Sequence, residues 1–327
     1  MELIKVDMNN FPLVTVGIVT YNSSKYILEA LNSIKEQSYR NIELIISDDC
    51  SSDNTIDLCN SWLCSNRERF VNVNLITVEK NTGTSGNCNR VLNASNGEWI
   101  KFLAGDDLLL PDAIEKYVEF VLSNKNIFVT FAESIHFEGN FYDRNFSYKK
   151  LNLRNFAFND KITAKQQFNI LTKKFIGAGS TLFAKVSVIK EVGGFDERFK
   201  LQEDYPLFIK ITKAGYKLFR LDEYVVYKRV YKDSVQYKKN NENEIYGNHV
   251  IQIVKDYKWL YRYENLGVFW KIMLRFSLFL HNLVIDSGND KNKTKCRLFL
   301  YLKNAFDPFD WYDRFINLID KSLKIKQ

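Results

Sequence analysis

The chain is expected to fold as an α/β protein on a mostly parallel sheet with helices on both faces, followed by a C-terminal helical extension. Three observations carry this expectation. Short apolar or β-branched runs alternate with segments of helical period through the first half, the pattern of a parallel sheet with crossover helices. Three of those runs end in clusters of polar and acidic residues. Beyond about Asn240 the pattern changes to long helical segments rich in Trp, Tyr, Phe, Lys and Arg. The expected division is therefore residues 1–240 and 241–327.

Leu13 to Thr20 is the first strand, and Tyr26, Ile27, Ala30, Leu31 and Ile34 then fall on one helical face. Ile42 to Ile46 is the second strand, followed by a helix from about Asp53 that Ser51 and Ser52 can cap. Val73 to Val78 and Glu98 to Leu103 give two more strands, with a short helix at Asn87 to Asn93 between them. A helix from Asp112 to about Ser123 precedes a strand from Ile127 to Ala132. His136 to Asn159 lacks a clear period and reads as loop. A short strand at Thr181 to Ala184, a helix to about Ala214, and two strands at Lys217 to Leu221 and Tyr224 to Arg229 close the sheet. In Rossmann-like sheets ligands bind beyond the carboxyl ends of the strands. Thr20-Tyr21-Asn22, Ser47-Asp48-Asp49 and Ala104-Gly105-Asp106-Asp107 should therefore meet on one rim.

Bulk properties narrow the function classes. A net charge of +7 over 327 residues suits anionic small molecules or an anionic membrane surface, and falls short of the focused basic patch of a nucleic-acid binder. The five scattered cysteines read as reduced thiols of a cytoplasmic protein. His136, His249 and His281 build no zinc signature. The N-terminus lacks the plan of a signal peptide. The most apolar stretch, Leu266 to Ile285, is interrupted by Lys271, Arg275, His281 and Asn282, so the expectation is a soluble or peripheral protein.

Three acidic constellations carry chemistry. Adjacent carboxylates at a strand end, Asp106-Asp107, repel each other unless a cation compensates, and oxygen ligands suit Mg²⁺ or Mn²⁺ bridging to substrate phosphates. A turn that caps the next helix is the competing reading. Asp48-Asp49 can accept hydrogen bonds from a nucleobase or ribose, and Tyr21 offers a flat stacking face; helix capping and a core-edge tyrosine are the alternatives. Glu203-Asp204 stands at a helix start, where the dipole is expected to keep a carboxylate ionised and able to act as general base. Plain capping competes there too.

Taken in order, Thr20-Tyr21-Asn22, Asp48-Asp49-Cys50-Ser51-Ser52-Asp53, Asn81-Thr82-Gly83, Ala104-Gly105-Asp106-Asp107, Gly193-Gly194-Phe195 and Glu203-Asp204 resemble the family 2 glycosyltransferases of the GT-A fold, over roughly residues 12 to 235. The resemblance implies a UDP-sugar donor, a divalent cation (Mn²⁺ or Mg²⁺), and inverting transfer. It implies that Thr20, Tyr21, Asn22, Asp49, Asn87 and Asp106 bind the donor and that Asp107 ligates the metal. Asp204 is implied as the catalytic base, with Glu203 beside it. The implied acceptor is a saccharide or a polyprenyl-diphosphate-linked saccharide of O-antigen or capsule assembly. Two positions depart from the pattern. Many relatives carry Ala-Arg-Asn where Asn87-Cys88-Asn89 stands, and Arg90 should point differently from the missing arginine. Many also place a histidine after an arginine at the last strand, where this chain has Arg229-Val230-Tyr231. Arg229 and Lys228 are the remaining candidates for the diphosphate, with solvated surface charge as the bland reading.

In the C-terminal segment Phe269, Ile272, Met273, Phe276, Leu280, Leu283 and Val284 are expected on one apolar helix face, opposite Lys271, Arg275 and Asn282. That face suits packing against a domain or a second subunit as a homodimer, or contact with the inner leaflet of the cytoplasmic membrane. Two rival functions were weighed. A nucleotidyltransferase would need a glycine-rich loop after the first strand, and Thr20 to Lys25 contains no glycine. A non-catalytic nucleotide-sugar-binding protein would have no use for Glu203-Asp204.

Overall fold

The computed structural model describes residues 11–139, 141, 147–151, 158, 161–174, 179–199, 202–231, 242–247, 251 and 264–324. The chain divides into two compact units. One comprises residues 1–153 and 178–229; the other comprises 154–177 and 230–327. Residues 154–177, placed by the sequence pattern in the first domain, thus group with the C-terminal segment.

The first unit begins with β1 (Val14–Thr20), α1 (Ile27–Lys35), β2 (Ile42–Asp48), α2 (Thr55–Asn66), β3 (Asn72–Thr77), α3 (Thr84–Ala94) and β4 (Trp99–Ala104). These four strands are parallel neighbours in the order β3-β2-β1-β4. Every residue of β2 and nearly every residue of β1 is buried, which is why both read as continuous apolar runs. Gly17 lets α3 lie close: a Cβ there would stand 2.2 Å from Val91 Cγ1.

The second half departs from the expected order. β5 (Leu108–Leu109) follows the acidic turn, then α4 (Ala113–Ser123), β6 (Val129–Glu138) and β7 (Ser147–Leu151). Residues 136–138 continue β6, and β7 pairs antiparallel with it, so a strand pair occupies part of the expected loop. The rest of that stretch lies outside the described residues. After β8 (Phe183–Lys185) and α6 (Val186–Glu191) come α7 (Asp204–Lys213) and β9 (Leu218–Arg229). β9 is a single strand where two were expected. Register shifts around Glu133 of β6 accommodate residues 221–223, so the acidic Asp222-Glu223 interrupts the apolar pattern without ending the strand. The sheet continues antiparallel from β4 to β8, with order β8-β6-β9-β5. Trp99, Phe183 and Tyr117 stack face to face, with centroids 5.3 Å and 4.7 Å apart, and fix the seam between the parallel and mixed halves.

The second unit contains α5 (Ala164–Leu171), closed at its start by a capping box between Thr163 and Gln166. Three helices follow, α8 (Val268–Asp286), α9 (Thr294–Phe306) and α10 (Pro308–Lys324). The apolar face expected on α8 is divided. Leu280 and Val284 are buried, but Phe269, Ile272 and Phe276 are exposed, because apolar residues run all round this helix and its partners cover one stripe. By length and composition α8 could cross a membrane.

Candidate active site

The carboxyl ends of the parallel strands bring the polar clusters together. Thr20 lies opposite Asp48 in the β1–β2 register, and Val19 opposite Ala104 in β1–β4. The turns are laced across the strands: Asp49 N–H donates to the Thr20 carbonyl at 2.9 Å, and Gly105 N–H to that of Val19 at 3.1 Å. Asn22 and Cys50 adopt left-handed backbone, with φ of 51° and 68°. Asn22 binds the opposing loop through Ser51 Oγ (2.7 Å) and the Ser52 amide (2.8 Å). Ser51 and Ser52 are therefore cross-braces, and the helix they were expected to cap starts later, at Thr55, with Asp53 bonded to the Thr55 amide and hydroxyl.

Tyr21 stands out from this rim, 52 % exposed. Beneath it, Thr20 Oγ1 and Asn87 Oδ1 are buried without a hydrogen-bond partner, although the Asn87 amide donates to the Thr20 carbonyl at 3.2 Å. Buried polar atoms left unpaired cost free energy, and a row of them at a strand tip is what a polar ligand would satisfy. Gly105 must be glycine, since a Cβ would sit 2.8 Å from Thr20 Oγ1 and 3.0 Å from Ser23 Oγ.

Asp49 is already engaged. It accepts from the Thr82 amide and hydroxyl, the Gly83 amide (2.8 Å) and the Arg90 guanidinium (2.6 Å). Burial acts to raise its pKa, but the Thr82, Arg90 and Gly83 hydrogen bonds win and hold it below the usual carboxylate range. Asp49 is thus the bracket that fixes the 81–83 loop against the rim, and in this arrangement its lone pairs go to protein donors. Arg90 also reaches Thr82 Oγ1 (2.7 Å) and Ser47 Oγ (3.2 Å). It points into the cluster of strand tips. Asn89 in the same run clamps the Gly193-Gly194-Phe195 turn, accepting the Phe195 amide and donating to its carbonyl, both at 2.9 Å.

Asp106-Asp107 forms the turn between β4 and β5. Asp107 Oδ1 accepts the Arg229 amide N–H at 2.9 Å, and Arg229 Nε donates to the Asp106 carbonyl at 3.1 Å. The rest of the guanidinium bonds Glu29 (2.8 Å) and the Gly139 carbonyl, and lies over the Tyr26 ring at 4.1 Å. With its side chain 1 % exposed, Arg229 is a brace for the acidic turn. It is neither a solvated surface charge nor a cation open to a diphosphate, because the end of β9 runs inward beneath that turn.

Glu203 and Asp204 open α7. Asp204 accepts the Tyr205 amide (2.7 Å) and the Gly179 amide (3.2 Å). A Cβ on Gly179 would fall 2.6 Å from Asp204 Oδ2, so only glycine lets this loop approach. At this pair burial opposes the helix dipole. Burial and then the neighbouring Asp204 push Glu203 up to about 8, and burial raises Asp204 as well against the opposing pull of its backbone donors. The Tyr205 and Gly179 N–H groups favour the anion at Asp204.

Burial and then Asp106 push Asp107 to about 7. This contrasts with Glu43, a buried acid at the far end of β2, whose bonds to Asn96, Thr15 and Asn72 outweigh burial and lower its pKa. Among the described residues, the carboxylic acids raised by burial are Asp107, Glu203 and Asp204. One cation joins them: the Lys228 ammonium opposes the shifts of Asp107, Glu203 and Asp204 alike. Cys88 of α3 feels Glu203, Asp204 and Arg90, which ties the Asp49–Arg90 side to the same place. Sequence reasoning missed Lys101. It is fully buried in β4, donates to the Phe102 (2.5 Å) and Ser180 (2.7 Å) carbonyls, and is lowered to about 7 by burial against the opposing pull of Asp107. A lysine inside an apolar strand run was the available signal.

Among the described residues no three acidic, histidine or cysteine side chains gather as a ready-made metal cage. Mg²⁺ and Mn²⁺ need no such cage when a diphosphate and water complete the shell, and one or two carboxylates suffice. Asp106-Asp107 fits that description: burial first and Asp106 second raise the Asp107 carboxyl, and a bound cation would relieve that cost.

The comparisons with known proteins bear on the fold and the family. EpsE of Bacillus subtilis (strain 168), whose name assigns it provisionally to the glycosyltransferases, is 25 % identical over 236 residues, 72 % of this chain and 78 % of that one. The crystal structure of S. aureus TarS 1-349 in complex with UDP-GlcNAc superposes with a TM-score of 0.55 at 19 % identity, covering 83 % of this chain and 79 % of that one. The mannosyltransferase PcManGT from Pyrobaculum calidifontis, in complex with GDP-Man and Mn²⁺, gives 0.53 at 17 % identity, covering 96 % and 86 %. These likenesses establish the GT-A type of α/β fold with a helical C-terminal part. The profile of glycosyl transferase family 2 matches residues 15–193, more than half of the chain, and the protein belongs to that family of glycosyltransferases.

Proposed function

We propose that the protein transfers a hexosyl group from a UDP-sugar to a saccharide hydroxyl with inversion. The observation that carries this reading is that buried carboxylates from two separate segments, Asp107 and Glu203-Asp204, all feel the same Lys228 ammonium. The exposed Tyr21 ring suits stacking on the nucleobase, while Thr20 Oγ1 and Asn87 Oδ1 offer unpaired acceptors to base or ribose. Asn22 and Asp49 shape the rim that holds them, and Asp106 stands where a ribose or donor sugar would pass. A divalent cation on Asp107 would supply charge neutralisation to the departing diphosphate. Lys228 is the protein's own cation for the same charge. Asp204 is aimed by the Gly179 and Tyr205 amides and takes the proton from the incoming hydroxyl as the glycosidic bond forms. Burial, which pushes Glu203 up to about 8, inclines it to hold a proton and so favours the anion at Asp204. UDP is preferred over GDP on the resemblance and on the likeness to TarS. The acceptor class, a polyprenyl-diphosphate-linked saccharide of O-antigen or capsule assembly, rests on the resemblance alone.

The test is Asp204→Asn. Binding of the UDP-sugar, followed by calorimetry with Mn²⁺ present, should stay within about threefold of the parent, while turnover falls by about 10²–10⁴-fold, the usual contribution of a general base. Parental turnover by this variant would remove Asp204 from the role.

A further inference from the structure

Helix α8 is apolar on two faces, and its neighbours cover one of them. The covered stripe carries Leu274, Leu280 and Val284 together with Ser277 and His281, which meet Asp307 through the Ser277 hydroxyl at 2.8 Å. The exposed stripe carries Phe269, Ile272, Phe276 and Phe279, each 41–63 % exposed and spaced three or four residues apart. α9 and α10 add Tyr301, Trp311 and Phe315, all more than half exposed. A helix in water turns its apolar side chains inward. A second apolar stripe left outside calls for an apolar medium there.

The charge of the segment says which medium. Residues 230–327 hold 17 lysines and arginines against 11 aspartates and glutamates, so six of the chain's net seven positive charges lie there. Lys291, Lys293, Lys295 and Arg297 stand exposed where α9 begins. Exposed aromatic and aliphatic side chains set among basic residues match a leaflet rich in anionic headgroups. We propose that the C-terminal helices are a docking surface for an anionic lipid bilayer, with α8 lying in the plane of the headgroups. α8 meets the length for crossing a bilayer. The geometry favours the plane, because α8 packs Trp270 onto Phe309 and Tyr312 of a helix that also carries Asp310, Asp313 and Arg314, which hydrocarbon would not accept. The inference is independent of the catalytic reading, since it concerns residues that take no part in it.

The full-length protein should sediment with vesicles of phosphatidylcholine mixed with phosphatidylglycerol and far less with phosphatidylcholine alone. Replacing Phe269, Ile272 and Phe276 together by serine should weaken sedimentation at least about tenfold with an unchanged circular dichroism spectrum, as loss of buried apolar area requires. Lys293→Gln and Lys295→Gln should each weaken it about fivefold at low salt. Turnover on a water-soluble acceptor should be untouched by all of these changes. Equal sedimentation on both vesicle types would overturn the proposal. So would a dimer in ultracentrifugation that the serine variant dissociates, which would make a second copy the occupant. Protection of the segment after Asp286 from protease added outside sealed vesicles would show a spanning helix and overturn it too.

Discussion

Asp107→Asn should make the cation-free protein more stable at alkaline pH while destroying its activity. The carboxyl rises from 3.8 to about 7 on folding, burial first and Asp106 second. The unfolded chain therefore releases this proton at lower pH than the folded one, and between those values the native state binds more protons. Stability then falls with rising pH, fully present below about pH 4 and lost by the time pH passes 7. At about 1.36 kcal/mol per unit the shift corresponds to roughly 4 kcal/mol, an upper bound because Asp106 shares the effect. The amide oxygen of asparagine still accepts the Arg229 N–H, so the brace survives. Urea unfolding in EDTA at pH 5, 6, 7, 8 and 9 measures the difference. The variant's advantage should grow from about 1 kcal/mol at pH 5 to about 2–4 kcal/mol at pH 8. Mn²⁺ with UDP should narrow the gap by stabilising only the parent. A variant less stable than the parent at pH 8 would show that the charge at Asp107 is already compensated within the protein, and the argument for a cation there would fall.

Three further outcomes are expected. Arg229→Met leaves the Glu29 carboxylate without its 2.8 Å partner and should cost about 3–5 kcal/mol in urea unfolding; a loss below about 1 kcal/mol would refute its role as a buried brace. Tyr21→Ala removes an exposed ring and should leave the melting temperature unchanged while weakening nucleotide binding about 5- to 100-fold by calorimetry, the range for base stacking; unaltered affinity would remove Tyr21 from the donor site. Gly179→Ala drives a methyl group onto Asp204 and should lower kcat about 10- to 100-fold with donor affinity preserved; an unchanged kcat would show that the 179–181 turn does not aim the base.

The parts of the fold that sequence periodicity revealed are those where one rule dominates. β1 and β2 are buried on both faces, and a largely apolar run has no other stable home in a chain that alternates with helices. The carboxyl-end clusters followed from that topology. The strand pair of β6 and β9 was obscured because a bulge near Glu133 shifts the alternation, and a two-residue strand such as β5 has no period to detect. Side-chain direction was less accessible still. Arg229 and Lys228 are neighbours with the same charge, yet strand alternation sends one into the core and leaves the other among the carboxylates. At Glu203-Asp204 the helix start is visible in sequence, whereas the burial that raises both acids is not.

The bond between the Arg229 amide and Asp107 spans 122 residues, and the guanidinium's bond to Glu29 spans 200. The acidic turn is thus locked by the last strand of its unit to be synthesised. A nascent chain halted before β9 carries every residue of the nucleotide rim but lacks the clasp that sets Asp107. Assembly of a competent centre is thereby coupled to completion of the sheet, so unfinished chains leaving the ribosome should be catalytically silent.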